Sequence, residues 1–268
     1  MQAMDIQFEK YQGTGNDFII LDSIRFPQLE TLDLRTLAPV LCDRHTGIGA
    51  DGILVVSNPA DMIKMTVINA DGSIPEMCGN GLRCVAQYVW DQQYVTQSHA
   101  SIQTDAGILT PMKAAGLIKV DMGAPQILGD GELHVNNRSY RMHHISMGNP
   151  HAVIMTQSLQ LIPFTTDGPA LSQHAYFSDG ANIEFVEFTS RESATVLVWE
   201  RGAGPTQACG TGACAAVVAG IVTNHCDRTV SVSLPGGELI IHWDESTNHV
   251  FMTGPAKKVF HGTWPISF

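Results

Sequence analysis

The sequence writes Cys-Gly-polar-Gly twice, each time at the mouth of an apolar stretch: Cys78-Gly79-Asn80-Gly81 and Cys209-Gly210-Thr211-Gly212. The two copies lie 131 positions apart in a chain of 268 residues. A shift of about 130 residues aligns other segments in the same order. "GNDFII" (15–20) meets "GNPHAVI" (148–154), and "ADGILVV" (50–56) meets "ANIEFVE" (181–187). "TDAGILTP" (104–111) meets "LPGGELII" (234–241), and "DMGAP" (121–125) meets "FMTGP" (251–255). Any one match is what Gly-rich turns produce in a β-rich protein; chance does not supply their common order. The chain therefore reads as two copies of one fold, each of ordinary domain size.

Strand signals fill both copies. "FIILD", "GILVVS", "MTVINA", "LIKVDMG", "ATVLVWE", "TVSVSL" and "ELIIHW" are β-branched and alternating, with turn signals such as "NADG" and "PGG" between them. After the first motif, Leu82, Val85, Ala86 and Val89 fall at i, i+3, i+4 and i+7 and predict an amphipathic helix. After the second, "ACAAVVAGIV" is apolar on every side and predicts a wholly buried one. A third helix is expected in "LDLRTLAPVLCDRH". The pattern predicts an α/β (α+β) protein of two pseudo-symmetric domains. Each is a curved, mostly antiparallel sheet around a central helix, with the active site in the inter-domain cleft. The halves are expected at 1–124, completed by the segment 256–268, and at 125–255.

Composition narrows the function. Fifteen Lys and Arg against 26 Asp and Glu give a net charge of −11, which argues against nucleic acid and anionic membrane as partners. The N-terminus carries charges early, and the longest apolar run is too short to cross a bilayer, so a cytoplasmic protein is expected. Six cysteines are too few for a disulfide scaffold; Cys42, Cys84, Cys214 and Cys226 read as buried thiols. Cys78 and Cys209 read differently because each stands at a helix entrance. The unpaired N–H groups and partial positive charge there favour a thiolate, and the glycines let the backbone approach a carboxylate. Two such motifs facing one another suit racemisation of an α-amino acid: one thiolate removes the α-proton while the opposite thiol delivers another. The two thiols are then expected to share one proton, because two thiolates would repel.

Other readings explain less. Cys78/Cys84 and Cys209/Cys214 are spaced too widely for a structural zinc site and place the second cysteine inside a helix, so no metal is expected. Gly-x-Ser-x-Gly and Gly-Lys-Ser/Thr are both absent. A non-catalytic binding protein that clamps a small anion between two helix ends would not need both cysteines.

The stretches "YQGTGNDF" (11–18), "NADGSIPEMCGNGLRC" (69–84), "SMGNPHAV" (146–153), "GANIEF" (180–185) and "WERGAGPTQACGTGACAA" (199–216) closely resemble the diaminopimelate epimerase family. The resemblance implies a cofactor-independent epimerase that interconverts LL- and meso-diaminopimelate in lysine and peptidoglycan biosynthesis, acting as a homodimer. It implies Cys78 and Cys209 as the acid/base pair. It further implies that Gly79, Asn80, Gly210 and Thr211 bind the reacting carboxylate and that Asn16 contacts the same end. Asn69, Asn149, Asn182 and Arg201 would hold the distal carboxylate and Glu200 the distal ammonium, with His151 and Glu200 tuning the thiols. A buried pairing of Arg201 with the distal carboxylate is expected to exclude substrates lacking that group. The sequence departs from the family at Gln12, where many members carry His, and at Gly52, where some carry Gln. The alternative is a racemase of the same fold acting on another amino acid, such as histidine.

Overall fold

The computed structural model describes residues 4–75 and 77–266; positions 1–3 and 267–268 of the expected halves, and Glu76 of the first motif, lie outside the described residues. The chain divides into two compact units, Met1–Val120 with Pro255–Phe268, and Asp121–Gly254.

In the first unit β1 (Met4–Gly13) and β2 (Asn16–Asp22) precede α1 (Leu34–Cys42), followed by β3 (Gly52–Ser57) and β4 (Lys64–Asn69). Next come α2 (Gly79–Asp91), then β5 (Ile102–Thr104), β6 (Gly107–Leu109), β7 (Met112–Ala114) and β8 (Leu117–Asp121), which ends at the boundary. The second unit runs β9 (Gln126–Val135), β10 (Arg138–Ser146), β11 (Pro150–Met155), α3 (Phe164–Ser172), β12 (Asn182–Ser190) and β13 (Ser193–Glu200). It continues with β14 (Gly204–Pro205), α4 (Gly210–Val222), β15 (Thr229–Leu234), β16 (Gly237–Trp243) and β17 (Val250–Gly254). The last strand, β18 (Lys257–Ile266), returns to the first unit.

The first sheet is ordered β18-β1-β2-β3-β4-β5-β6, and within the second unit the order is β17-β16-β15-β13-β12-β11-β10-β9. Both follow one pairing rule. From β1 to β6 the pairs are antiparallel, parallel, antiparallel, parallel, antiparallel. From β10 to β16, leaving aside the short β14, the same succession recurs. A parallel pair needs a crossover, and helices supply all four: α1 and α2 in the first unit, α3 and α4 in the second. The internal repeat read from the sequence is thus a repeat of topology. The expected fold class is the one observed, with two parallel pairs interrupting each mostly antiparallel sheet.

Each sheet wraps one helix. α2 packs on β1, β2, β3, β4 and β18, and α4 packs on β10, β11, β12, β13, β16 and β17. Leu82, Val85, Ala86 and Val89 are buried as the periodicity predicts, but so are Arg83, Cys84 and Tyr88, so α2 is enclosed on more than one face. The fully buried Arg83 guanidinium donates to Thr14 Oγ1 (2.9 Å) and to the Pro255 carbonyl (3.3 Å), which offsets the penalty of enclosing a cation. α4 is buried from Gly212 to Gly220, but its last residue, Val222, is 46% exposed, so the helix emerges in its final turn rather than being wholly buried. The periodicity did not predict α3, because "FTTDGPALS" carries Gly and Pro in its interior. Packing overrides propensity there: a Cβ on Gly168 would lie 2.8 Å from the Trp199 ring.

Candidate active site

Both cysteines are helix N-caps. Cys78 has extended backbone (φ −138°, ψ 111°) and its sulfur accepts from the Gly81 N–H at 3.4 Å. Cys209 repeats this (φ −111°, ψ 110°), accepting from Gly212 at 3.3 Å. Ser, Thr, Asp or Asn would cap these helices better, so the cap alone does not account for two cysteines. Neither helix has an acidic residue in its first turn, although the macrodipole favours one. The first intrahelical bonds begin at the N–H groups of Leu82 and Ala213, so the amides of Gly79 and Asn80, and of Gly210 and Thr211, precede them. These are the positions from which a helix end receives a carboxylate.

In the first unit Asn16 follows directly on a two-residue hairpin turn. Thr14 (φ 57°) and Gly15 (φ 78°) both occupy the left-handed region, the geometry of a type I′ turn. Gln12, one of the departures from the family, holds this turn by accepting from the Gly15 N–H at 2.9 Å. Asn16 Oδ1 accepts from Asn80 Nδ2 (3.1 Å) and faces the Cys78 thiol (4.0 Å). Asn69 ends β4, where its Nδ2 donates to Ser73 Oγ (2.9 Å). The other departure, Gly52, pairs with Asn69 across β3–β4, and a Cβ there would stand 2.7 Å from the Ile68 carbonyl oxygen. A larger residue at this site requires the strands to move.

The second unit builds a more enclosed cysteine setting. Cys209 is only 6% exposed, with Thr211 Oγ1 at 3.5 Å from its sulfur. Asn149 Nδ2 donates to the same hydroxyl (3.5 Å), and its Oδ1 contacts His151 Nε2 (3.0 Å). His151 Nδ1 in turn meets Glu184 Oε1 at 2.7 Å, both side chains being fully buried. Glu200, at the end of β13, accepts from Thr206 Oγ1 (2.6 Å). Burial, first, and then the Glu200 and Glu184 carboxylates push the Cys209 thiol well above its ordinary value. Burial also raises the Glu200 carboxyl, partly countered by Thr206 and Cys209. A helix end favours a thiolate, but at Cys209 burial and two carboxylates outweigh it, so the group rests as a thiol.

Of the expected distal contacts, Asn182 is buried and engaged at both amide atoms: Nδ2 donates to the Pro150 carbonyl (3.1 Å) and Oδ1 accepts from the Arg201 N–H (2.9 Å). Arg201 is exposed, its guanidinium donating to the Asp179 carbonyl at 3.3 Å. The buried setting expected for it is not what the structure holds, because it lies in the turn after β13 and not on the strand. Glu184 was not among the sequence candidates. Its signal is an acidic residue inside the otherwise apolar "IEFV", which predicts a buried carboxylate needing a partner. Among the described residues no three His, Cys, Asp or Glu side chains are grouped to hold a metal ion, and no helix is long and apolar enough to cross a membrane.

A sequence profile of the diaminopimelate epimerase family matches residues 8–128 and 143–259. The diaminopimelate epimerase of Microcystis aeruginosa is 44% identical over 283 residues, covering 98% of this chain and 100% of that protein. That of Heliobacterium modesticaldum is 42% identical over 282 residues, covering 97% and 100%. Among solved structures the chain is similar to a Bacillus anthracis phenazine biosynthesis protein of the PhzF family (TM-score 0.76, 15% identity, 99% of this chain and 100% of that one). It is also similar to a hydroxyproline epimerase from Agrobacterium vitis (TM-score 0.74, 12% identity, 99% and 92%). At such identities these two structures speak for the fold alone.

Proposed function

Since the chain belongs to the diaminopimelate epimerase family, we propose that it interconverts LL- and meso-diaminopimelate by proton exchange between two thiols. The supporting observation is the duplicated cap: each half places a cysteine sulfur at the N-terminus of its central helix, beside amides suited to a carboxylate. In one direction Cys209, held as a thiol, is the proton donor and Cys78, as the thiolate, makes the abstraction; in the reverse direction the two exchange roles. The α-carbon–hydrogen bond breaks as the Cys78 S–H bond forms; the Cys209 S–H bond then breaks as a new C–H bond forms on the other face. Developing negative charge on the substrate carboxylate is met by Gly79, Asn80, Gly210 and Thr211 at the helix ends. Asn16 serves the reacting end, while Asn69, Asn149, Asn182 and Arg201 serve the distal carboxylate. Glu200 and His151 hold the protonation of Cys209 through the contacts described above. The family needs no cofactor for this chemistry. A homodimer in the cytoplasm completes the proposal.

The test is α-hydrogen exchange and epimerisation of diaminopimelate in heavy water. Cys78→Ala and Cys209→Ala are each expected to abolish epimerisation. If either single variant keeps near-wild-type epimerisation, the two-base mechanism is wrong; a binding protein would exchange nothing even with both thiols present.

A further inference from the structure

Asn16 can present either an oxygen or an N–H to the Cys78 side of the site, and the choice is made behind it. Asp51, at the entry to β3, accepts from Asn16 Nδ2 at 2.6 Å and from the Asp17 N–H at 3.0 Å through the same oxygen. Its other oxygen accepts from Arg44 Nη2 at 2.6 Å. Arg44 also forks onto Asp17, whose Oδ2 is met by Lys10 at 2.6 Å as well. A carboxylate can only accept, so the amide nitrogen of Asn16 must face Asp51. The amide oxygen is left facing Cys78 and Asn80. The equivalent residue of the second half is turned the other way: Asn149 gives its oxygen to His151 and its nitrogen to Thr211, beside Cys209.

We propose that Asp51 is a positioning residue that locks Asn16 with its acceptor oxygen toward Cys78, so that the reacting end of the substrate meets an acceptor suited to its α-ammonium. An N–H in that place would oppose the ammonium and would instead donate to the sulfur. This rests on the reading of the chain as an amino-acid epimerase.

Asp51→Asn frees the amide to turn, because asparagine can donate where aspartate cannot. Two readouts move in opposite directions. kcat/KM for diaminopimelate falls about tenfold or more, since a donor now faces a donor. Alkylation of Cys78 by iodoacetamide at neutral pH becomes faster, because an N–H on the sulfur stabilises the thiolate. Asp51→Glu, which keeps an acceptor-only group, recovers part of both. Arg44→Gln separates orientation from charge: it leaves the Asp51–Asn16 bond in place and is expected to keep both values within about twofold of wild type. Unchanged kinetics and alkylation in Asp51→Asn would overturn the proposal. So would a Glu variant no better than the Asn variant, or an Arg44→Gln variant displaced strongly in the opposite sense, which would assign the effect to net charge. Absence of α-hydrogen exchange in the wild-type protein would instead sink the epimerase reading, and the alkylation comparison would still report on Asn16.

Discussion

At the scale of single residues, the six cysteines separate by environment. Cys78 is half-buried, whereas Cys42, Cys84, Cys209, Cys214 and Cys226 are buried. Burial pushes Cys42 up to about 11 and Cys84 and Cys226 to about 12, and Cys209 is raised further by its neighbouring carboxylates. Native protein treated briefly with iodoacetamide at neutral pH is therefore expected to carry label on Cys78, with the other five labelled only after unfolding; peptide mass mapping reads this directly. The same shifts tie stability to pH. A thiol whose folded value lies above its unfolded value of about 9 leaves stability intact below that value. Above it the unfolded chain ionises first, so stability falls with rising pH until the folded value is passed. Tm is expected to decline from about pH 9 upward, and to decline less steeply in Cys84→Ala. Equal slopes in the two proteins would show that Cys84 is not a source of this dependence.

At the scale of elements, the two central helices are where packing is least forgiving. Gly220 lies in the last buried turn of α4, and a Cβ there would stand 2.4 Å from the Phe188 ring and 2.6 Å from Cys226 Sγ. Alanine favours a helix interior over glycine by about 1 kcal/mol, but overpacking an enclosed core costs roughly 1–3 kcal/mol. Gly220→Ala is expected to be net destabilising and to lower Tm, with activity retained at temperatures well below the transition. A raised Tm would mean that Phe188 moves aside freely. The contrast between α2 and α3 shows what a sequence carries about elements. Leu82, Val85, Ala86 and Val89 announce α2 because their spacing is helical whatever surrounds them. In α3, Gly168 and Pro169 disguise a helix that exists because Trp199 and β12, β13 and β9 cover it. That covering comes from segments distant in sequence, which no local window reports.

At the scale of the whole molecule, the halves repeat a topology but not a chemistry. Asn80 in one cap is Thr211 in the other, and Glu200 and Arg201, preceding the second motif, have no counterpart pair before the first. This asymmetry fits a substrate with a second amino-acid end. Diaminopimelate is expected to turn over far faster than lysine or histidine, and Arg201→Met to lose most of the diaminopimelate rate. Arg201 is exposed, so the expected loss is that of a charged hydrogen-bonded pair, roughly 1.5–3 kcal/mol or tenfold and more, and not that of a buried unpaired charge. Initial rates on the three amino acids decide it: faster turnover of histidine or lysine would remove diaminopimelate as the substrate and leave the thiol chemistry standing.

The sequence by itself determined the duplication, the strand-rich halves, the two cysteine-capped helices and the family, because each of these is written in residue types at short, regular spacings. Only the tertiary structure decided how the thiols are held. Cys78 and Cys209 open near-identical motifs, yet Cys209 is closed in with Glu200 and Glu184 while Cys78 stays half-buried beside Asn16. Glu184 and Asp51 sit in strand and loop segments far along the chain from the cysteines they influence. A protonation state depends on burial and on charges within a few ångströms, and those are set by which strands become neighbours, not by which residues are adjacent in sequence.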